Sequence, residues 1–294
     1  MRDCRTTVID GKRVVGDERV YRKEWCGQIR GMLHVTVLRS GSSGNCSLVE
    51  FGETRILVDA GLSAKRIAEL LTEVGVSPAS LTGILVTHEH DDHASGLGVW
   101  SARHGTPVYA NVLTAEAILF NAKREVRIPF RMFQTGAPFD LGGVEVRSFS
   151  IPHDAAEPVG FVLSAGESAV GFLTDLGYAT GLVRQRAREV DTLVIESNHD
   201  ERLLLNDVKR PWSVRQRISS RHGHLSNDAA SEVLAELAGG RLKRAVLGHL
   251  SRDLNTPEIA LRTARERLGR ESGGERIELM CAGSDCRTER MRVA

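Results

Sequence analysis

The sequence predicts an α/β protein whose strands divide between two sheets, with helices on the outside. Three observations carry that expectation. Eleven short runs rich in Val, Ile and Leu read as strands; two segments carry apolar residues at helical spacing and a third has helix start and stop signals; and the two kinds alternate along the chain. No internal repeat and no long linker divides the 294 residues, so one large domain is expected.

The elements follow in order. Met32-Leu33-His34-Val35-Thr36-Val37-Leu38 opens the series as a strand near 33–39, and runs near 46–50 and 55–59 come next. Between the first two, Ser40-Gly41-Ser42-Ser43-Gly44-Asn45 suits a hairpin turn; it matches neither G-x-G-x-x-G nor a P-loop, so it is not a nucleotide cradle. Ile67, Leu70, Leu71 and Val74 recur at i, i+3, i+4, i+7 and predict a helix over about 64–74. Strands are then expected near 83–87, 107–110, 144–150, 159–163, 169–174 and 192–196. Ala230, Val233, Leu234 and Leu237 repeat the helical spacing, with Ser226 or Asn227 available as cap. After a strand near 245–249, Thr256-Pro257 opens a third helix that Gly269 follows, and a last strand is expected near 276–281.

Bulk properties narrow the class. A hydrophobic content of 41% and a charged content of 26% are ordinary for a globular chain. The net charge of +1 provides no global field toward nucleic acid, although a local patch remains open. Cys4, Cys26, Cys46, Cys281 and Cys286 are scattered and odd in number, which argues against a disulfide framework and for the cytoplasm. No apolar run reaches the length of a membrane span. Residues 1–31 are polar and lack the apolar core of a secretory signal. They read as a flexible extension or as sequence upstream of the true start at Met32, with an arm that contacts nucleic acid as the sharper alternative. The domain is expected over 32–283, with 284–294 as a tail.

The chemistry concentrates at residues 88–93, His-Glu-His-Asp-Asp-His, directly after Gly83-Ile84-Leu85-Val86-Thr87. His88, His90, Asp92 and His93 fit H-x-H-x-D-H. Imidazole and carboxylate ligands suit zinc, manganese and iron. A turn after a strand lets side chains two residues apart converge, whereas a helix would use H-E-x-x-H. His88 and His90 can face one ion while Asp92 and His93 turn toward a second. Glu89 and Asp91 are expected at the surface or as hydrogen-bonded turn residues. Two histidines do not close a metal site, and three further candidates each follow a strand: His153, Asp175 and His249. A lone residue of this kind is commonly structural; their shared position after strands is what recommends them.

With these residues in order, residues 32–283 resemble the metallo-β-lactamase superfamily: Asp59 in Leu57-Val58-Asp59-Ala60-Gly61, the H-x-H-x-D-H motif, His153, Asp175 and His249. The resemblance implies an αββα sandwich of two mixed sheets. It also implies two divalent ions, one on His88, His90 and His153, the other on Asp92, His93 and His249, with Asp175 bridging and Asp59 orienting a ligand through a hydrogen bond. Ser40–Asn45, Glu196-Ser197-Asn198-His199-Asp200, His222-Gly223-His224-Leu225-Ser226-Asn227 and Gly248-His249-Leu250-Ser251 resemble the YycJ (WalJ) group, to which 5′–3′ DNA exonuclease activity is attributed. The 73 residues between Asp175 and His249 are too few for the second domain inserted in larger nucleases of the superfamily.

A water shared by two divalent cations loses a proton near neutral pH and attacks phosphorus or a carbonyl carbon. By resemblance to tRNA-processing members, His224 is the candidate acid for the leaving oxygen, with Glu196 orienting or charging it, so that Asp92, His224 and Glu196 are the catalytic candidates. A helix-entry histidine without a catalytic role is the plainer alternative for His224. His199 and His222 are left out of the ligand set. Arg202, Lys209, Arg210, Arg215, Arg217 and Arg221 stand against one acid, Asp207, with Trp212 among them. They suit phosphate contacts and base stacking, unless they form a solvated helix with Trp212 packed inward. The expected function is a dinuclear metal-dependent phosphodiesterase using a metal-bound hydroxide, with nucleic acid as partner and DNA preferred over RNA. No membrane or obligate protein partner is expected. The alternatives are a hydrolase of a cyclic phosphodiester, thioester or lactone, and a non-catalytic nucleic-acid-binding protein.

Overall fold

The computed structural model describes residues 6–9, 12–15, 31–122 and 126–294. Strands β1 (Thr6–Ile9) and β2 (Lys12–Val15) pair antiparallel as a separate hairpin. Otherwise the expectations for the extension at 1–31 lie outside the described residues.

The rest is a sandwich. Seven strands form one sheet among the described residues: β3 (His34–Arg39), β4 (Cys46–Phe51), β5 (Thr54–Val58), β6 (Gly83–Leu85), β7 (Val108–Ala110), β8 (Phe130–Met132) and β16 (Met291–Arg292). Their order is β16-β3-β4-β5-β6-β7-β8, antiparallel from β16 to β5 and parallel from β5 to β8. The second sheet holds β9 (Phe139–Leu141), β10 (Val144–Ser150), β11 (Val159–Ala165), β12 (Ser168–Leu173), β13 (Thr192–Glu196), β14 (Arg244–Gly248) and β15 (Glu278–Cys281). Its order is β15-β14-β13-β12-β11-β10-β9, parallel from β12 to β15 and antiparallel elsewhere. Both sheets are mixed, as expected.

Side chains alternate across each strand, and here both faces are buried. Ile56 and Val58 of β5 point between the sheets with Val194 of β13, Phe161 and Phe172, while Leu57 points outward. On that outer face Leu57 meets Ile67, Leu70 and Leu71 of α1 (Ala64–Glu73) and Trp100 of α3 (Leu97–His104). On the other side Leu193 and Ile195 meet Val183 of α5 (Gly181–Ala187), Val233 and Leu234 of α8 (Asn227–Glu236) and Ala260 of α9 (Pro257–Leu268). Each fully buried side chain of this size contributes roughly 1.5–3 kcal/mol. Trp100 has no exposed surface, and its indole N–H is satisfied by Thr106 Oγ1 at 3.0 Å.

The three helices expected from the sequence are α1, α8 and α9. Ser63, Ser226 and Thr256 cap them by accepting the backbone N–H of Arg66, Ala229 and Ile259. The short α2 (Asp91–Ala94), α4 (Val112–Asn121), α6 (Glu201–Leu205) and α7 (Trp212–Ile218) complete the set.

Beyond the boundary expected at residue 283 the chain packs on the first sheet. Residues 284–294 are part of the sandwich: Met291 and Val293 are buried, the Val293 N–H donates to Leu33 O at 2.8 Å, and Thr288 exchanges hydrogen bonds with Val37. The segment covers the β3 edge, which would otherwise leave a row of unpaired backbone groups.

Candidate metal centre

The candidate residues gather at the carboxyl ends of the strands, where open α/β sheets place their sites. Asp59 follows β5, His88–His93 follow β6, His153 follows β10, Asp175 follows β12, Glu196 ends β13 and His249 follows β14. Three non-glycine residues among those described have positive φ: Asp59 (62°), Asp175 (58°) and His249 (54°). A left-handed residue costs of order 1–3 kcal/mol, and all three turn a side chain across the end of its sheet.

Two groups of ligand atoms result. In the first, His90 Nδ1 lies 3.0 Å from His88 Nε2 and 3.3 Å from His153 Nε2. In the second, Asp92, His93, Asp175 and His249 each bring a ligand atom within 4.8 Å of the others. Asp175 spans both: Oδ2 is 2.8 Å from His93 Nε2, and Oδ1 is 3.9 Å from His153 Nε2. His88, His93, His153, Asp175 and His249 are buried, while His90 and Asp92 are half-buried.

The far nitrogens decide what these groups can hold. His93 Nδ1–H donates to Asp59 Oδ2 at 2.7 Å, and His153 Nδ1–H donates to Gly223 O at 3.1 Å. The Thr87 hydroxyl donates to Asp59 at 3.0 Å, leaving its oxygen to accept His88 Nδ1–H at 3.0 Å. With those protons committed, the Nε2 atoms of His88 and His153 present lone pairs to each other's neighbourhood, and His90 Nδ1 has at most one proton to offer two acceptors. Converging lone pairs and carboxylates in a buried pocket repel unless a cation sits among them. The donor set therefore fits divalent metal ions, with nitrogen and oxygen ligands and the outer imidazole nitrogens fixed by hydrogen bonds. Burial and the neighbouring imidazoles push His88 well below the ordinary histidine pKa, and burial lowers His153; burial also works against His93 and His249, but the Asp175 carboxylate outweighs it and raises both.

A third overlapping group joins Asp175, His249, His224 and Glu196. Here Glu196 is a hydrogen-bond hub. Its Oε1 accepts His224 Nδ1–H at 2.8 Å and His249 Nδ1–H at 2.6 Å; its Oε2 accepts the N–H groups of Leu176 (3.1 Å) and Leu225 (3.0 Å). Four donors leave it no lone pair for a metal. Burial works to raise its pKa, but the His224 imidazole and these bonds outweigh it and hold the carboxyl down at about 2. In return, burial works against His224, but Glu196 raises its pKa above the ordinary value. His224 stands at the rim with 19% of its side chain exposed.

Backbone close approach fixes the motif. A Cβ on Gly61 would fall 1.6 Å from Asp92 O, so only glycine lets the turn after β5 lie against α2. Two residues of the Ser40–Asn45 stretch, for which the sequence suggested a hairpin turn and a family motif but no contact with the site, also reach it. The Asn45 N–H donates to Asp92 O at 2.7 Å, and Ser40 Oγ accepts the His249 N–H at 2.8 Å. Their signal was the Ser40–Asn45 motif itself, whose contacts lie far along the chain.

Several side chains of the basic segment have partners within the chain. Arg210 pairs with Asp207 (2.8 Å) and Asp253 (2.7 Å), and Arg217 pairs with Asp154 (2.6 Å). Arg215 donates to Leu205 O at 2.9 Å, and Arg221 lies over the Tyr178 ring at 4.3 Å. Asp253 and Asp154, from other loops, thus pair with two of the six basic side chains. Arg202, Lys209 and Trp212 are exposed. Trp212 is 65% exposed, not packed inward. His222 is exposed, and His199 is buried outside both ligand groups.

Residues 54–250 match the family profile of a Beta-lactamase superfamily domain. The chain belongs to the metallo-β-lactamase superfamily. Over 246 residues it is 35% identical to the exodeoxyribonuclease WalJ of Streptococcus pneumoniae, covering 83% of this chain and 91% of that protein. Over 231 residues it is 37% identical to the exodeoxyribonuclease YycJ of Bacillus anthracis, covering 78% and 86%. These likenesses put it in the YycJ-like group. Its fold is similar to that of YhfI, a metallo-β-lactamase fold protein of Bacillus subtilis, with a TM-score of 0.66 and 18% identity over 87% of this chain and 99% of that one. Membership of this superfamily and the clustered histidines and aspartates agree on a metal-dependent hydrolase. No helix among the described residues is long and apolar enough to cross a membrane.

Proposed function

We propose that the chain is a dinuclear metal-dependent phosphodiesterase of the cytoplasm that degrades nucleic acid as an exonuclease, DNA in preference to RNA, with the 5′–3′ polarity its group implies. The observation that carries this reading is the convergence of His88, His90 and His153 beside Asp92, His93 and His249, with Asp175 between them. The names of the WalJ and YycJ relatives support DNA as substrate. Free thiols at Cys46, Cys281 and Cys286 suit a reducing compartment. Two divalent cations held there, zinc or manganese first and iron also compatible, would acidify water and offset charge growing on the phosphate.

The chain's own residues supply orientation and a proton. Asp59 holds His93 and, through Thr87, His88 in the tautomers that leave Nε2 free. Glu196 fixes His224 through Nδ1, which leaves His224 Nε2 to carry the proton for the leaving oxygen. The carboxylate stabilises the imidazolium before transfer, and its bonds to Leu176 and Leu225 keep the pair from rotating.

Metal analysis together with digestion of end-labelled DNA and RNA tests the reading. About two ions per chain and faster loss of DNA are expected; no bound transition metal in the metal-replete protein would sink it. His224→Ala should keep its metal and lose about 10²–10⁴-fold in turnover on DNA, with less loss on bis(p-nitrophenyl) phosphate, whose leaving group needs little protonation. Equal loss on both substrates removes His224 from the acid role.

A further inference from the structure

A cleft of about 470 Å³ opens beside His224 and runs to Trp212, with His199, Leu205, Arg215 and Gln216 along its walls. Three features need an occupant. Trp212 starts α7 and exposes 65% of its surface, although indole is costly to leave in water. His199 is 98% buried, and its Nδ1 has no hydrogen-bond partner; an unsatisfied buried nitrogen costs about 1–3 kcal/mol. Arg215 Nε is likewise buried without a partner, although its Nη1 donates to Leu205 O. An aromatic face and an aliphatic wall, with His199 and Arg215 also lining the cleft, are the complement of a flat heterocycle.

We infer that this cleft binds the nucleobase of the nucleotide that carries the leaving oxygen, with Trp212 stacking on the base and His199 meeting its polar edge. The inference rests on the phosphodiesterase reading above. His224 lines both the ligand cluster and the cleft mouth, so a nucleoside whose oxygen takes the His224 proton lies on the cleft side. Its base is the one within reach of Trp212.

The test is a double-mutant cycle on DNA with an abasic residue on one side or the other of the cleaved linkage, using the metal-loaded full chain. Trp212→Ala should lower kcat/KM on intact DNA about 5- to 150-fold, the range for one lost base–aromatic stack, and Trp212→Phe should recover most of it. Bound metal and Tm should match the wild type. Wild type should suffer a similar loss when the base on the leaving-oxygen side is missing. On that abasic DNA, Trp212→Ala and wild type should cleave at the same rate. The inference is overturned if Trp212→Ala cuts intact DNA as wild type does, or if the two losses multiply instead of merging. It is also overturned if the sensitive base lies on the other side. If wild type hydrolyses bis(p-nitrophenyl) phosphate but no DNA, the nuclease reading itself has failed, which the abasic series distinguishes from failure of the cleft alone.

Discussion

Asp59→Asn is a one-atom test of how the site selects its tautomers. Asp59 Oδ1 accepts the Thr87 N–H at 2.9 Å, and Oδ2 accepts His93 Nδ1–H at 2.7 Å, both fully buried. Asparagine offers one oxygen and one NH₂ in the same space. If its nitrogen faces His93, two donors meet, and the imidazole must move its proton to Nε2, the atom that faces Asp92 and Asp175. If its nitrogen faces Thr87, a buried backbone donor loses its partner. Either orientation forfeits a hydrogen bond to a charged acceptor, about 1.5–3 kcal/mol. Expressed in metal affinity this is about 10–100-fold, as for other residues that orient metal-binding histidines. Competition against a chromophoric chelator should show that loss mainly in one of two ions, the one beside Asp92, His93 and His249. Far-ultraviolet circular dichroism should confirm an intact fold. Two ions bound with wild-type affinity in Asp59→Asn would refute the reasoning, since the tautomer would then not depend on the carboxylate.

Three further outcomes are expected. Asp175→Ala removes the one carboxylate that reaches both ligand groups, so it should hold fewer than two ions and lose hydrolysis while still unfolding cooperatively; elemental analysis beside a thermal melt checks it. Gly61→Ala places a Cβ 1.6 Å from Asp92 O, so the backbone must shift, at a cost of about 1–3 kcal/mol, and metal content should fall with Tm; unchanged values for both would refute the close approach. Truncation after residue 283 uncovers β3 and removes buried Met291 and Val293, together worth roughly 3–6 kcal/mol. Its Tm should drop by more than about 6 °C, and no drop would restore residues 284–294 to a tail.

What was legible in the sequence follows from where each signal is stored. The helix α1 was readable because Ile67, Leu70 and Leu71 form one stripe against the sheet. The helix α4 was not: Val112, Leu113 and Phe120 are exposed while Ala115 and Ile118 are buried, so no stripe separates its faces. β8, β9 and β16 have three, three and two residues, too few for alternation, and exist through pairing with neighbours. The candidate ligands were readable because their identity is their chemistry, and six residues hold four of them. Their geometry was not, because aspartate and histidine adopt the left-handed backbone only rarely, and nothing marks 59, 175 and 249 as places where they do.

Long-range hydrogen bonding explains the remaining gaps, and it also separates ligand from partner. Residue type and burial alone would admit Glu196 to the ligand groups as readily as Asp175, since both are buried carboxylates at strand ends. The difference lies in what already satisfies each oxygen. Glu196 receives two imidazole and two amide protons, contributed by residues 176, 224, 225 and 249. Asp175 meets imidazole nitrogens on both sides and no backbone donor among its contacts. The same long-range contacts give Arg210 and Arg217 carboxylate partners, Asp253 and Asp154, that arrive from distant loops. Residue type narrows the chemistry; the count of hydrogen bonds already spent assigns the role.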